Sequence, residues 1–364
     1  MNALELRAGP QARAHIANHG LRAQDMAVIP AAAGGPKGLI LQALDQWLFG
    51  TWLPSAPRTR TLIGASIGAW RMAAACHADP SSAFRRLGDF YGEQRYPKKP
   101  SPELISEMCR QLMTDFMGGH ESEIIDHPHY RLHILTVRGL GLLTAPKKKS
   151  AVAAGFAGAT LSNMLSRKRL AGHLERVILS DRRDDLAWLK PGFDAFTNHF
   201  ATLTAANLAD ALLASGTLPM VMPPIPAIAG APQGTYWDGG LVDYHLSFPY
   251  SKLHTETAPG LVLYPHFGPK IVPGWLDKSM PWRHASSAQC HNWYDNVLLL
   301  SPSREFIATL PRRKIPDRQD FHHYGLDHDA RIRAWQRAIH EAQRLRDEFA
   351  EFVERPDLSK LLPL

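Results

Sequence analysis

Gly64-Ala-Ser-Ile-Gly-Ala-Trp70 is the stretch on which the reading of this chain turns. A serine stands between two glycines, directly after the apolar run Leu62-Ile63 and just before an alanine-rich segment. Thr59-Arg-Thr-Leu-Ile63 has the character of a short buried strand. GASIG reads as a tight turn, and AWRMAAACHA consists of good helix formers. A strand-to-helix reversal exposes the serine, and the free amide groups of the helix N-terminus point at it. A second unit of the same plan lies upstream. Met26-Ala-Val-Ile29 is a strand, AAAGGPKG a turn, and Leu39, Leu41, Ala43, Leu44, Trp47 and Leu48 fall at helical spacing. Two such units in succession imply parallel strands crossed by helices, and so an α/β layered fold.

Further strands are expected at Arg131-Leu-His-Ile-Leu-Thr-Val137, Arg176-Val-Ile-Leu179 and Leu261-Val-Leu-Tyr264. PKKPSPEL opens a helix and GGH closes one. A further helix, 207–215, is ended by the proline-rich TLPMVMPPIP. In 329–352, Ile332, Trp335, Ile339, Ala342, Leu345, Phe349 and Phe352 recur every three or four positions. This predicts one amphipathic helix docked by its apolar stripe on the parent domain.

At 364 residues, 45% apolar and 21% charged, the chain has the make-up of a soluble globular protein able to bury a large core. A net charge of +7 favours anionic partners: a phospholipid surface, nucleic acid or an acidic substrate. Cys76, Cys109 and Cys290 are odd in number and form no CxxC pair, which argues against a disulfide framework or a cysteine zinc site. The first twenty residues lack the apolar core of a signal peptide, and no segment reaches transmembrane length. A cytoplasmic setting is the expectation.

An alcohol attacks a carbonyl poorly at neutral pH. A serine enzyme therefore needs an exposed oxygen, a base for its proton, and donors for the oxyanion that forms. Gly64 and Gly68 flank Ser66 as an exposed nucleophile requires. Gly34-Gly-Pro-Lys-Gly38 lacks the GxxxxGK[ST] spacing of a phosphate-binding P-loop. It reads either as a helix-capping glycine turn or as an oxyanion hole formed by N–H groups of Gly34 and Gly35. Lys37 is a candidate to steady an anion there, or is simply solvated. Tyr236-Trp-Asp-Gly-Gly-Leu241 reads as a hairpin turn, or as a rigid support for Asp238 as the base. A free aspartate, with a pKa near ~3.9, needs desolvation to act as one.

Gly34-Gly-Pro-Lys-Gly38, Gly64-Ala-Ser-Ile-Gly68 and Asp238-Gly-Gly240 resemble, in order and spacing, the motifs of the patatin-like phospholipases. Ala211-Leu-Leu-Ala-Ser-Gly-Thr-Leu-Pro219 is similar to a helix end of that family. The resemblance runs from about 26 to 250. It implies a three-layer α/β/α sandwich with a mainly parallel sheet in one domain, 1–364. A basic helical insertion at about 93–174 and an extension at about 270–364 complete that domain.

The resemblance further implies hydrolysis of a fatty-acyl ester of a phospholipid or related lipid. Ser66 would be the nucleophile and Asp238 the base. The oxyanion would be held by Gly34, Gly35 and Ile67, with Lys37, Gly38, Gly64, Gly68, Gly239 and Gly240 in support. No metal, cofactor or nucleic-acid partner is expected. Thioester cleavage, acyl transfer and a lipid-binding protein with a weak site are the competing readings. One departure stands out: the family's three-glycine opening begins here with Ala33, whose methyl could narrow the approach of a head group. His245 is close enough in sequence to Asp238 to compete as base.

Two features lie outside these motifs. The apolar segment 151–165 is bracketed by Lys147-Lys-Lys149 and Arg167-Lys-Arg169, either as a peripheral contact with an anionic membrane or as a lid over the site. His127-Pro-His129, and His322-His323 with Asp327 and His328, group ligand-type residues without an established metal spacing.

Overall fold

The computed structural model describes residues 2–96, 100–253, 260–284, 290 and 292–364. Within them one sheet takes ten strands: β1 (Leu4–Ala8), β2 (Met26–Ala31), β3 (Arg60–Ala65), β4 (Tyr130–Gly139), β5 (Leu174–Ser180), β6 (Asn198–Thr202), β7 (Tyr236–Asp238), β8 (Leu261–Pro265), β9 (Val297–Pro302) and β10 (Leu361–Pro363). Their order is β10-β1-β9-β8-β2-β3-β4-β5-β6, with β7 beside β4. The pairings β1–β9, β4–β5 and β4–β7 are antiparallel and the rest are parallel.

β2, β8 and β9 are buried at every residue, which requires cover on both faces of the sheet. Helices supply it, and the architecture is the expected α/β/α sandwich with a mainly parallel sheet. The helix Ile67–Ala75 is itself buried all round, between β3 and the helix Pro80–Gly92. Its one charged side chain, Arg71, donates paired hydrogen bonds of 2.7 and 2.8 Å to Asp45.

Where the sequence predicts a turn at 31–38 and a helix from Leu39, the chain coils sooner. A 3-10 helix, Gly35–Leu41, leads into the α-helix Gln42–Trp47. The stretch 93–174 is divided by β4, a neighbour of β3, with helices Pro102–Met117 before it and Lys149–Leu165 after it. Of the PKKPSPEL segment, Pro97, Lys98 and Lys99 lie outside the described residues, and the helix opens at Pro102.

The helix expected over 329–352 is two helices, His328–Glu341 and Gln343–Glu354, meeting at Ala342, where ψ relaxes to −7°. Each half follows its own dock. In the first, Trp335 Nε1 donates to Asp320 at 2.9 Å. In the second, the Phe349 ring meets Trp47 and Trp52 edge-on at 6.0 and 5.7 Å. Among the described residues, no helix is long and apolar enough to cross a membrane.

β4 has partners on both sides, and one side is shared. Its Tyr130–Leu135 half pairs with β3, and Thr136, Val137 and Arg138 pair with β7. β5 runs along the other side and carries Arg176, which is fully buried. Its guanidinium donates to Asp243 at 2.6 and 2.8 Å and to Asp194 at 3.2 and 2.7 Å, clamping the loop that follows β7.

Candidate active site

Ser66 follows the last residue of β3, and Asp238 ends β7. Ala65 lies opposite Leu135 on β4, and Asp238 lies opposite Thr136. The two strands thus meet end to end along one side of β4, which brings together residues 172 positions apart. Ser66 Oγ donates to Asp238 Oδ2 at 2.8 Å. The other carboxylate oxygen accepts the Gly240 N–H at 2.7 Å, and the Asp238 N–H donates to the Thr217 carbonyl at 2.8 Å.

Ser66 has φ 56° and ψ −131°, a conformation that non-glycine residues rarely adopt and that costs about 1–3 kcal/mol. Its surroundings hold it there. A Cβ on Gly64 would lie 2.5 Å from the Gly68 carbonyl carbon, and one on Gly68 only 2.0 Å from the Ala31 carbonyl oxygen. The two glycines therefore permit the strand, the turn and the helix to approach this closely. The Ser66 N–H donates to Ser215 Oγ at 2.8 Å, and that hydroxyl donates to the Leu135 carbonyl at 2.6 Å. Ser215 closes the helix Leu208–Ser215, so this helix end pins the turn to β4.

Gly34, Gly35, Lys37 and Gly240 line a cavity of about 150 Å³ together with Ser66 and Asp238. Gly38, Gly64, Gly68 and Gly239 are buried and lie outside its lining. A Cβ on Gly38 would come within 3.0 Å of the Ile67 side chain, which is itself buried. Ala33 keeps a negative φ and donates its N–H to the Tyr244 carbonyl at 2.9 Å. Its methyl faces Gly240, where a second Cβ would lie 2.6 Å away. The methyl is accommodated by that glycine.

The site contains residues that sequence reasoning missed. Arg318 and Lys278 line the cavity from segments with no motif to announce them. Ser215 was legible only as part of a family-like helix end, with nothing to show that its hydroxyl holds the Ser66 amide.

Asp238 is 4% exposed, and burial pushes its carboxyl up to about 6, against the lowering effects of the Arg318 charge and the hydrogen bonds from Ser66 and Gly240. A carboxylate so placed is a far better base than a solvated one. His245, the competing base, is directed elsewhere. Its Nδ1 accepts the Val272 N–H at 3.0 Å, its ring stacks on Tyr244, and burial holds its pKa well below the usual histidine range.

The two histidine groups have local roles. His127 Nδ1 accepts the Tyr130 N–H at 3.0 Å, and His328 Nε2 lies 2.7 Å from the Tyr96 carbonyl. Among the described residues, the ligand-type atoms that do gather within 4.8 Å belong to His77, His120 and Glu123, beyond the far end of the Ile67–Ala75 helix. Glu123 there already accepts the Ala78 N–H and sits 2.9 Å from His120 Nδ1.

A solved structure similar to this chain is that of VipD from Legionella pneumophila, with 13% identity and a TM-score of 0.33. The alignment covers 73% of this chain and 53% of VipD, so the chain spans about half of VipD's length. No curated protein matches the sequence. The family described as patatin-like phospholipase matches residues 33–245, more than half of the chain and the whole interval that carries the Ser66–Asp238 pair. The chain belongs to the patatin-like phospholipase family.

Proposed function

We propose that the chain is a serine lipid acyl hydrolase. The carrying observation is the 2.8 Å hydrogen bond from a strained, glycine-flanked Ser66 to a buried Asp238. Ser66 Oγ attacks the ester carbonyl carbon while its proton passes to Asp238 Oδ2. N–H groups of Gly34, Gly35 and Ile67 hold the oxyanion. The tetrahedral intermediate collapses, the ester C–O bond breaks, and Asp238 returns its proton to the leaving alcohol. Water then attacks the acyl-serine with Asp238 again as base, releasing the fatty acid and restoring Ser66. A fluorophosphonate probe should label the wild-type protein at Ser66 and leave Ser66→Ala unlabelled. Absence of wild-type labelling, or equal labelling of both, would remove the hydrolase reading.

The same reading includes docking on an anionic bilayer. Past its first turn, the exposed residues of the helix Lys149–Leu165 are Ala153, Ala154, Ala157, Leu161, Met164 and Leu165, with no charge among them. Exposed Lys147, Lys148, Lys168 and Arg169 flank the two ends. A water-facing helix surface is normally polar; an apolar one between cations fits acyl chains below and anionic head groups at the ends.

Buried Asp277 fastens this helix to the cavity rim. It accepts from Asn163 at 2.9 Å, Arg167 at 2.9 Å and Arg283 at 3.1 Å, two residues along from the cavity-lining Trp275. Leu161→Glu combined with Leu165→Glu should weaken binding to phosphatidylglycerol vesicles at least ~10-fold, since each leucine loses roughly 1.5–3 kcal/mol of apolar burial. Unchanged co-sedimentation of this variant would exclude the surface.

A further inference from the structure

Three cations line the Ser66 cavity: Lys37, Lys278 and Arg318. Lys37 belongs to the glycine turn, whereas Lys278 and Arg318 come from beyond residue 245, where the family match ends. The Lys37 ammonium lies 5.1 Å from the centre of the Phe267 ring, and that of Lys278 lies 5.4 Å from the centre of the Tyr244 ring. Arg318 crosses Gly35 so closely that its Nε would be 2.9 Å from a Cβ there.

The carboxylates at hand are already engaged. Asp317, on the cavity wall, pairs with Lys314 at 2.6 Å and accepts the Gln319 N–H at 2.8 Å. Asp238 holds Ser66. Among the described residues, neither the Lys37 nor the Lys278 ammonium forms a hydrogen bond or an ion pair. Burial, with the repulsion of Lys278, holds the Lys37 ammonium down to about 8. Burial lowers that of Lys278 too, with the Arg318 charge acting in the same direction. The Asp317 charge opposes these shifts in both lysines, but that carboxylate is shared with Lys314. Positive groups gathered and partly desolvated with too little counter-charge are unfavourable until an anion joins them.

We infer that this cavity binds a phosphate on the alcohol side of the scissile ester, so that the substrate class is a net-anionic glycerophospholipid. The inference rests on the Ser66–Asp238 reading and narrows it. A neutral glyceride would leave Lys37 and Lys278 with no anion but the shared Asp317. A zwitterionic head group would carry an ammonium into the same positive field, a like-charge juxtaposition that disfavours it. A coenzyme A thioester places its phosphates at the far end of a long arm, outside a cavity of about 150 Å³. The Arg318 charge also acts on Asp238, so Lys278 is the cleaner residue to change.

The test uses dilute phosphatidylglycerol, phosphatidylcholine or diacylglycerol with identical acyl chains in neutral detergent micelles, which remove the surface charge of a bilayer from the comparison. Wild-type kcat/KM should be at least ~10-fold higher for phosphatidylglycerol than for the other two. Lys278→Gln should cut that preference by about tenfold and Lys278→Arg should restore it. Equal rates on the three lipids, or a preference untouched by Lys278→Gln, would overturn the inference.

A second measurement separates it from the hydrolase reading: calorimetric binding of glycerol 3-phosphate to the Ser66→Ala protein. Binding that is tighter than for inorganic phosphate and weakened at least ~5-fold by Lys278→Gln supports a head-group site even if no ester is cleaved. Ester cleavage without head-group preference and without glycerol 3-phosphate binding would leave the hydrolase standing and remove the anion site.

Discussion

Asp238→Asn is expected to lower kcat by about 10³- to 10⁴-fold and, at the same time, to raise the stability of the fold at pH 8. Asparagine keeps an oxygen for the Gly240 N–H and a partner for Ser66, so the geometry survives while the proposed base is lost. The gain in stability follows from the same burial that fits Asp238 for its proposed role as base. Its folded pKa of about 6 lies above the ordinary 3.8. The neutral carboxyl's contribution is therefore present below pH 3.8 and is lost as pH rises through about 6.

Above that range the native protein carries a penalty of about 3 kcal/mol, from roughly two pKa units at 1.36 kcal/mol each. Asparagine does not carry it. The difference in melting temperature between variant and wild type should open between about pH 4 and 7 and then level off. The same titration should make wild-type kcat/KM rise with pH to a plateau, half-maximal near 6. A variant less stable than wild type at every pH, or a wild-type rate flat from pH 5 to 8, would contradict both expectations.

Arg176→Met should destabilise the protein by about 3–5 kcal/mol without touching any group of the reaction. Arg176 is fully buried between Asp243 and Asp194, and Asp243 is 2% exposed. Removing the guanidinium leaves the Asp243 carboxylate buried with its counter-charge gone, and burial already pushes that carboxyl's pKa up. Chemical denaturation at pH 7 reads the loss. Adding Asp243→Asn to Arg176→Met should recover part of it, because the orphaned charge is then removed as well. A single variant within 1 kcal/mol of wild type would show that the clamp contributes little.

Much of this was legible because it is local. Strand, glycine turn and helix announce themselves around Ser66, and Asp238-Gly-Gly240 stands out as a turn with a carboxylate. What brings them together is not local. β7 is only three residues long, and its place beside β4 depends on where β3 stops. The bend at Ala342 was hidden for a related reason: the apolar stripe from Ile332 to Phe352 is unbroken, and the break arises from two docking surfaces that the stripe does not encode. Lys278 and Arg318 carry no local signal, because their meaning lies in the cavity that distant segments build around them.

β4 sets the Ser66–Asp238 separation by register, and register changes only in whole residues. A slip of β7 by one position would move Asp238 by about 3.3 Å and turn its side chain to the opposite face of the sheet. The contact is thus digital: kept at bonding distance or lost outright, with no graded intermediate. The walls of the cavity are under no such rule, since Trp275, Lys278 and Arg318 come from segments outside the sheet. Mutation can reshape the entrance by small continuous steps while the Ser66–Asp238 contact stays in place, which leaves the shape of the cavity free to drift across related chains without disturbing that contact.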